Sequence, residues 1–534
     1  MTGAMVVAAQ PEATEAGWLA LKAGGSAVDA ALAAAFVQGV VDPLMAGIAG
    51  FGCLTLVGPD DAPVSLEAHA RAPAAATADI WADRVVGETR DGFGFVLDGN
   101  VNEAGYQSIA TPGSLKMFAD AHARWGALPW SELIAPAVEH AREGWMVRPH
   151  VHTVWTQDER SYGRMNYGEK LSVTEPARRL YLSDDGSYKR PGTMIRNEDL
   201  ARTLERISHE GAATFYSGDV AREIAADMAA NDALMTANDL VDYATDLAAP
   251  LEVTYRGHRV LTNRPPGGGP LIALMLTVLE RFDLSALEHN GPDHLAILAE
   301  AMKRATIDKD ASVGDPRFVD VPLDRLMSNE AADRTAAGIR AGEKLHVERL
   351  AMRDAGTTHV SVIDASGLAA SLTHSLGHPS GVITQGLGFM YNGCMAGFDP
   401  RPGRAQSIAP GKARFASMAP TIVMSAGQPR LVLGAPGGTH IVPAILQVIS
   451  NVVDFGMDVL EAVIAPRISV TSDVIDVSNR IPRTVTRELE ARGYEVKRSH
   501  LTYAFGGVHA IERREDGRLK GAADPQRDGM ALSA

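Results

Sequence analysis

The feature that most constrains the fold is a strand–turn–strand pattern that follows Gly356 and Thr357. Over residues 358–364, positions rich in β-branched residues alternate with other residues, which is the period of a β-strand. Residues 364–367 (Asp-Ala-Ser-Gly) favour a turn, and residues 368–376 can return as a second strand. The pattern therefore predicts a buried hairpin that begins immediately after Thr357.

The glycine and threonines ahead of this hairpin suggest a chemical role. A threonine hydroxyl is a weak nucleophile and needs a neighbouring base, and its own α-amine can serve if the chain is cut just before it. An unperturbed α-amine has a pKa near ~8, so much of it is unprotonated around neutral pH. Gly356 has no Cβ that would keep the Thr357 hydroxyl from its carbonyl. We therefore expect self-cleavage between these two residues, while the same pattern also fits an ordinary strand start.

The charge and the cysteine content exclude several functional classes. The chain has 534 residues and a formal net charge of −15, so nucleic acid and anionic membranes are poor partners. Cys53 and Cys394 form neither a disulfide framework nor a metal-ligand spacing, which suits a reducing compartment. The first residues lack a basic region before an apolar run, and no apolar run has membrane-spanning length. We therefore expect a cytoplasmic protein.

The rest of the chain mixes predicted strands and helices, which favours layered α/β sheets. No glycine-rich stretch has a phosphate-loop or dinucleotide pattern, so we expect no cofactor.

Two segments have the composition of loops. The charged residues 320–355 favour a solvated connector, and the composition of residues 398–414 favours a flexible flap. His374 and His378 have the spacing of a helical zinc pair, but Gly377 and the preceding strand favour loop histidines and no metal.

Many short stretches, taken together, resemble one family. Any one of them is weak, but they occur in the family's order and cover nearly the whole chain. They are Met5-Val-Val-Ala-Ala, Leu21-Lys-Ala-Gly-Gly-Ser-Ala-Val-Asp-Ala30, Thr111-Pro-Gly-Ser, Trp125-Gly-Ala-Leu-Pro129, Ala141-Arg-Glu-Gly144, Tyr255-Arg-Gly257, Pro265-Pro-Gly-Gly-Gly269, Glu300-Ala-Met-Lys303, Gly314-Asp-Pro316, Thr357-Thr-His-Val-Ser, Ser417-Met-Ala-Pro-Thr421, Gly434-Ala-Pro-Gly-Gly438 and Ala465-Pro-Arg467. The chain resembles the γ-glutamyltransferases, which are N-terminal-nucleophile hydrolases.

This resemblance implies a fold and a maturation step. The fold would be an α/β protein with the four-layer αββα sandwich of N-terminal-nucleophile hydrolases. The precursor would cut itself into a large chain, residues 1–356, and a small chain, residues 357–534. The two fragments would stay associated as one intertwined fold, and a dimer of such heterodimers remains open.

The resemblance also implies roles for individual residues. Thr357 matches the nucleophile, whose freed amine acts as the base. Ser375 matches a hydroxyl residue that hydrogen-bonds the nucleophile, where the family usually has threonine. Gly437 and Gly438 match the backbone amides that stabilise the oxyanion. On the residues alone, Ser375 also fits an ordinary strand serine, and the glycine pair fits a plain strand-to-helix turn.

The residues that would bind the acyl group depart from the family pattern. The family holds the glutamyl α-carboxylate with an arginine, and the aligned residue here is His69. Arg71 lies two residues further along a predicted strand, on the same face, and can supply a bidentate carboxylate clamp. The family's ammonium-binding aspartate aligns with Gly397. Of its serine pair only Ser417 remains, because Ala416 replaces the other.

These departures change the expected substrate. The charges of an amino-acid zwitterion are costly to bury unless they are paired, and a charge-assisted hydrogen bond contributes about 1.5–3 kcal/mol. We therefore expect a cofactor-free threonine amidohydrolase that cleaves a small carboxylate-bearing amide, similar to oxamate amidohydrolase or glutaryl-type cephalosporin acylases. A true γ-glutamyltransferase or glutathione hydrolase is the alternative, and an inactive relative that only binds ligands is the second.

Overall fold

Two β-sheets flanked by helices form the centre of the protein. A computed structural model describes residues 3–59, 61–89, 94–347 and 356–534. The strands in these ranges are β1 (Met5–Ala8), β2 (Phe51–Val57), β3 (Val64–Ala68), β4 (Val85–Glu88), β5 (Phe95–Leu97), β6 (Trp145–Met146), β7 (Met194–Ile195), β8 (Asp246–Ala248), β9 (Leu251–Tyr255), β10 (His258–Thr262), β11 (Thr358–Ile363), β12 (Ala369–Ser375), β13 (Thr421–Ser425), β14 (Gln428–Gly434), β15 (Ile468–Ser469), β16 (Val474–Val477), β17 (Glu495–Arg498), β18 (His509–Arg513), β19 (Leu519–Ala523) and β20 (Met530–Ser533).

The helices lie mainly on the outer faces of these sheets. They are α1 (Pro11–Lys22), α2 (Ala27–Val41), α3 (Ser114–Trp125), α4 (Trp130–Glu143), α5 (Pro149–Trp155), α6 (Tyr167–Lys170), α7 (Glu175–Tyr181), α8 (Glu198–Glu210), α9 (Ala213–Tyr216), α10 (Asp219–Ala230), α11 (Ala237–Val241), α12 (Gly269–Leu279), α13 (Pro292–Ser312), α14 (Leu323–Leu326), α15 (Asn329–Arg340), α16 (Ile441–Val453), α17 (Val459–Ile464) and α18 (Arg483–Ala491). None of the described helices combines the length and apolarity needed to cross a membrane.

The predicted hairpin lies at the centre of the larger sheet. That sheet has the strand order β20-β1-β11-β12-β2-β3-β8, and the second sheet has the order β19-β18-β14-β13-β10-β9. In the β11–β12 pair, Thr358 lies opposite His374 and Ile363 opposite Ala369. The turn is closed by Asp364, whose carboxylate accepts a hydrogen bond from the Ser366 N–H over 2.9 Å.

Side-chain alternation along β11 separates two cores. Val360 and Val362 pack with the helices α1 to α4, whereas Ile363 packs between the sheets with Val432 of β14. The outer face of the second sheet is covered by α12, α13 and α16. The predicted four-layer αββα sandwich is therefore confirmed.

Small residues allow the helix layer to pack closely. Helix α2 is alanine-rich and begins with a capping box, in which the Ser26 hydroxyl and the Asp29 carboxylate each accept a backbone hydrogen bond. A Cβ added to Gly17 of α1 would lie 2.9 Å from the Ala30 carbonyl oxygen of α2. The two helix backbones therefore approach closely over the sheet that carries β11.

The interior between the sheets is polar near the start of β11. His359 bonds the Thr373 hydroxyl through Nδ1 over 2.8 Å and the Ser361 hydroxyl through Nε2 over 2.9 Å. Burial lowers the pKa of His359 well below its usual value, and His509 and His374 lower it further. Ser371 links the two sheets by donating to the Leu433 carbonyl over 2.9 Å. His359 is therefore a neutral side chain held between the sheets by two hydroxyl partners.

Two expectations about loops were wrong. The segment expected to be a solvated connector contains helices α14 and α15, and its residues 348–355 lie outside the described ranges. The segment expected to be a flap is packed, because Lys412 is buried and its Nζ donates to the carbonyls of Ala405 and Ser407 over 2.9 Å each. These two carbonyl oxygens take the place of water around the charged amino group of Lys412.

The segments before and after the predicted cleavage site interleave in both sheets. In the larger sheet, β1 from the first segment lies between β20 and β11 from the second, and β2 pairs with β12. In the other sheet, β10 from the first segment pairs with β13 from the second. Neither segment can keep its sheets intact without the other.

We predict that cutting the chain between Gly356 and Thr357 leaves the two fragments bound to each other. Separation would break the backbone hydrogen bonds of those four strand pairs and expose the apolar interior. The cut protein should elute as one species in native size-exclusion chromatography and give two bands on a denaturing gel. Two separate native peaks would contradict this interleaved association.

Candidate active site

The predicted nucleophile and the predicted hydroxyl residue are hydrogen-bonded to each other. Thr357 Oγ1 donates to Ser375 Oγ over 3.2 Å, and Ser375 Oγ donates to the Gly356 carbonyl oxygen over 3.1 Å. The Gly377 N–H donates to the same Ser375 oxygen over 2.7 Å. Thr357 Oγ1 also contacts the Gly356 oxygen directly. The Thr357 hydroxyl is thus held against the peptide that is predicted to break.

The β11–β12 register brings these groups together. Because Thr358 pairs with His374, the residue before β11 lies beside Ser375, the last residue of β12. Thr357 is only 5% exposed. A Cβ added to Gly356 would lie 3.3 Å from Met45 Sδ and 3.4 Å from the Gly377 carbonyl oxygen, which is tighter than ordinary contact. A side chain at this position would therefore require Met45 to shift by a few tenths of an ångström.

Sequence reasoning missed a buried network that fixes the start of β11. Gln38 Nε2 donates to Thr358 Oγ1 and to Gln10 Oε1 over 2.8 Å each, and Gln38 Oε1 bonds His374 Nε2 over 2.8 Å. Gln10 Nε2 in turn donates to Asp42 Oδ2 over 2.9 Å. The signal that could have found this network is Gln38 itself, since it is a polar residue inside the apolar run of α2.

The two glycines predicted to bind an oxyanion lie in the turn between β14 and α16. β14 ends at Gly434, which leaves no room for a side chain beside the His359 imidazole. Gly437 and Gly438 have φ angles of +133° and +56°, which favour glycine. No described residue accepts a backbone hydrogen bond from either N–H. The pair therefore offers two N–H donors near the end of the sandwich where β11 begins.

His69 is held by neighbouring side chains. Its Nε2 lies 2.9 Å from Glu67 Oε2 and 3.8 Å from Cys53 Sγ. Burial alone would lower the pKa of His69, but the sulfur and the carboxylate outweigh it and raise that pKa to about 10. One donor atom from each of the three residues lies within 4.8 Å of the others, as metal ligands can. A hydrogen bond between the imidazole Nε2 and the Glu67 carboxylate accounts for the short contact.

Arg71 also has partners within the chain. β3 ends at Ala68, so Arg71 does not lie on the strand that the sequence predicted. Its Nη2 donates to Asp246 Oδ2 over 2.9 Å, and its Cζ lies 5.0 Å from the centroid of the Tyr243 ring. A substrate carboxylate would have to share this guanidinium with Asp246. Contact between Arg71 and substrate therefore stays a prediction.

The predicted pocket residues border more than one cavity. Gly397 lines a cavity of about 370 Å³ together with Arg414 and Lys309. Ser417 lines a smaller neighbouring cavity that also reaches Lys309. His69 lines a separate cavity of about 170 Å³. Gly397 and Ser417 thus line two cavities that share Lys309, whereas His69 lines a different cavity.

The two histidines spaced four residues apart do not form a chelating pair. His374 lies at the end of β12 and bonds Gln38, whereas His378 Nδ1 lies 3.4 Å from the Tyr167 hydroxyl. Burial lowers the pKa of His374 to about 3 and that of His378 well below its usual value, with nearby cations adding to the effect at His378. Both side chains are therefore neutral packing groups that point to different partners.

A sequence model described as Gamma-glutamyltranspeptidase matches residues 13–534 of the chain. The chain belongs to the gamma-glutamyltranspeptidase family. An Acylase ACY 1 proenzyme from a Pseudomonas strain is 36% identical to this family member, over 99% of this chain and 93% of that protein. The Glutathione hydrolase proenzyme of Pseudomonas aeruginosa is 33% identical, over 96% and 91% of the two chains.

A solved structure agrees with this assignment. The cephalosporin acylase from Bacillus halodurans is 25% identical and superimposes with a TM-score of 0.88, over 99% of this chain and 96% of that one. The family and these relatives identify this gamma-glutamyltranspeptidase-family protein as an enzyme of the amide-bond hydrolase and transferase class. They also agree with the αββα fold described above.

We predict that Ser375→Ala slows self-cleavage by about 10²-fold, the order of effect seen when one preorganised donor to a developing oxyanion is removed. The variant loses the donor to the Gly356 carbonyl oxygen. Ser375→Thr should keep most of the rate, since it keeps the hydroxyl. The fraction of uncut chain is followed on denaturing gels, with Ser425→Ala at the end of β13 as the matched control. An unchanged rate for Ser375→Ala would disprove this role.

Proposed function

We propose that the protein cuts itself between Gly356 and Thr357 and then hydrolyses the amide of a small carboxylate-bearing acyl group through an ester on Thr357. The observation that carries the proposal is the hydrogen-bonded chain from Thr357 Oγ1 through Ser375 Oγ to the Gly356 carbonyl oxygen. Residues 1–356 and 357–534 would be the large and small chains. The name proenzyme, carried by several relatives, supports such processing.

The first reaction is intramolecular. Thr357 Oγ1 attacks the Gly356 carbonyl carbon, and the peptide C–N bond breaks. The hydroxyl proton moves to the leaving nitrogen, which becomes the α-amine of Thr357, and an ester joins the two residues. The Ser375 hydroxyl stabilises the negative charge on the carbonyl oxygen. Water then hydrolyses the ester and leaves a carboxylate on Gly356 and a free hydroxyl on Thr357.

The second reaction uses the amine that the first one releases. The amine of Thr357 accepts the hydroxyl proton as Oγ1 attacks the substrate amide carbon. It then gives that proton to the leaving amine as the C–N bond breaks, which leaves an acyl ester on Thr357. The N–H groups of Gly437 and Gly438 stabilise the oxyanion. Water hydrolyses the ester and releases the carboxylic acid.

The proposal also covers the kind of acyl group that the enzyme accepts. Gly397 supplies no carboxylate for a substrate ammonium, which favours an acyl group without an α-amino group. The relative named Acylase ACY 1 supports this choice. Glutathione hydrolysis is the second candidate, favoured by the relative named Glutathione hydrolase. We also propose a cytoplasmic location, which the two free thiols of Cys53 and Cys394 support.

We predict that purified wild-type protein of 56.6 kDa separates into two fragments on a denaturing gel, the smaller one beginning Thr-Thr-His. Thr357→Ala should stay uncut and inactive, because it lacks the attacking oxygen. Mass spectrometry after incubation with substrate should find an acyl adduct on the small fragment. Thr335→Ala in α15 is the matched control and should behave as wild type. An uncut but active chain would refute the proposal.

We predict a preference between two chromogenic amides that differ only in an amino group. Glutaryl-p-nitroanilide should have a kcat/KM at least about tenfold above that of γ-glutamyl-p-nitroanilide, since a missing charge-assisted hydrogen bond is worth about 1.5–3 kcal/mol. The measurement is p-nitroaniline release over a range of substrate concentrations. The opposite order would favour the glutathione hydrolase alternative.

A further inference from the structure

Three side chains that can bind a metal ion converge beside strands β2 and β3. Cys53 of β2 lies opposite Glu67 of β3, and His69 follows the last residue of β3. One donor atom from each residue lies within 4.8 Å of the others, and all three residues are buried. Strand pairing brings them together, which is why the spacing of the cysteines along the sequence did not indicate this cluster.

The distances around the His69 imidazole suit a tetrahedral ion. Its Nε2 lies 3.8 Å from Cys53 Sγ and 2.9 Å from Glu67 Oε2. Zinc bonds of about 2.3 Å to sulfur and about 2.0–2.1 Å to nitrogen or oxygen put tetrahedral ligand atoms roughly 3.3–3.6 Å apart. The two observed distances lie on either side of this range. Small rotations of the three side chains would therefore close them around one ion.

Neighbouring groups already orient the Glu67 carboxylate. Its Oε1 accepts hydrogen bonds from the Ser65 hydroxyl over 3.0 Å and from the Arg264 N–H over 2.7 Å. The other oxygen, Oε2, is thereby turned toward His69. Carboxylates that bind metals are held by outer partners in the same way, and loss of such a partner typically weakens metal binding by about 10–100-fold.

The charges and the chemistry of the donor atoms favour zinc. A cysteine thiolate and a glutamate carboxylate together balance a divalent ion, so the buried cluster would stay neutral, whereas burial of an unbalanced charge is costly. Calcium and magnesium prefer a shell made of oxygen ligands, but this cluster supplies one sulfur, one nitrogen and one oxygen. Thiolate and imidazole ligands together are typical of zinc.

A cavity gives the cluster access to solvent. Glu67 and His69 both line the cavity of about 170 Å³, which is separate from the one that Gly397 borders. An ion can enter by this route, and a water molecule in the cavity can complete a four-coordinate shell. Catalytic zinc sites keep such an open position next to three protein ligands.

We propose that Cys53 Sγ, Glu67 Oε2 and His69 Nε2 bind one Zn²⁺ ion, with a water molecule from the cavity as the fourth ligand. On binding, the Cys53 thiol and His69 Nε2 lose their protons to solvent, and the ion takes the place of the proton between His69 and Glu67. The ion links β2 to β3 beside the β11–β12 hairpin, because Cys53 also lies opposite Thr373 of β12. This site goes beyond the proposed function and does not depend on it.

The test measures zinc binding directly on the purified protein. After metal has been removed with a chelator, the wild type should bind one Zn²⁺ per molecule in competition with a chromogenic chelator. Cys53→Ser and His69→Gln should each weaken binding by more than about 100-fold, since loss of a ligand costs more than loss of an outer partner. Ser65→Ala should weaken it by about tenfold, because it removes only an outer partner of Glu67. Cys394→Ser, at the other buried cysteine, is the matched control and should bind zinc as the wild type does.

Cobalt(II) reports the sulfur ligand in the wild type itself, so the test does not depend on the folding of any variant. Co²⁺ bound through Cys53 should give a sulfur-to-cobalt charge-transfer band in the near ultraviolet and the strong visible bands of a four-coordinate ion. Added Zn²⁺ should displace the cobalt and abolish both. The Cys394→Ser control should give the wild-type spectrum, and circular dichroism checks that each variant is folded.

Three results would overturn the zinc site. The first is a wild-type protein that binds no zinc, or whose cobalt spectrum lacks the charge-transfer band. The second is equal zinc binding by the wild type, Cys53→Ser and His69→Gln, which would identify an adventitious ion only. The third is loss of the charge-transfer band in Cys394→Ser but not in Cys53→Ser, which would assign the thiolate to the other cysteine.

Discussion

The arrangement of the site depends on the pairing of β11 with β12. This pairing alone sets the Thr357 hydroxyl beside Ser375 Oγ, and through it beside the Gly356 carbonyl. A shift of one residue in the register would turn every side chain of β11 to the other face. The alternation of valines toward the helices and polar residues toward the second sheet makes such a shift unfavourable.

The layers around this hairpin act as its support. On the helix side, Gln38 holds Thr358 through a hydrogen bond inside an otherwise apolar layer. On the other side, His359 and Ser371 tie the hairpin to the second sheet. Because buried polar groups are costly when unpaired, these partners specify one position for β11 more strictly than apolar packing would. The reacting groups are therefore preorganised before any substrate arrives.

Local patterns in the sequence were enough to predict the hairpin and the glycine turn after β14, whereas the juxtaposition of Thr357 and Ser375 came from the family resemblance. Features that depend on distant segments were not predictable in this way. Gln38 and Thr358 meet across 320 positions, and Arg414 lies in a segment whose Pro, Gly and basic composition is typical of exposed loops. The strand alternation assumed for Arg71 failed because β3 ends at Ala68. Composition also could not show that the charged residues 329–340 form a helix against the core.

The burial of the Gly356–Thr357 bond has a practical consequence for handling the protein. Because Gly356 and Thr357 are buried, the bond between them is a poor target for an external protease, and the attacking geometry exists only once the sheets have assembled. On the proposed chemistry, a cut chain therefore shows that the molecule has reached its native fold. The proportion of split chains in a preparation would measure folding yield for any variant that leaves the cleavage chemistry intact, with no substrate or spectroscopic probe required.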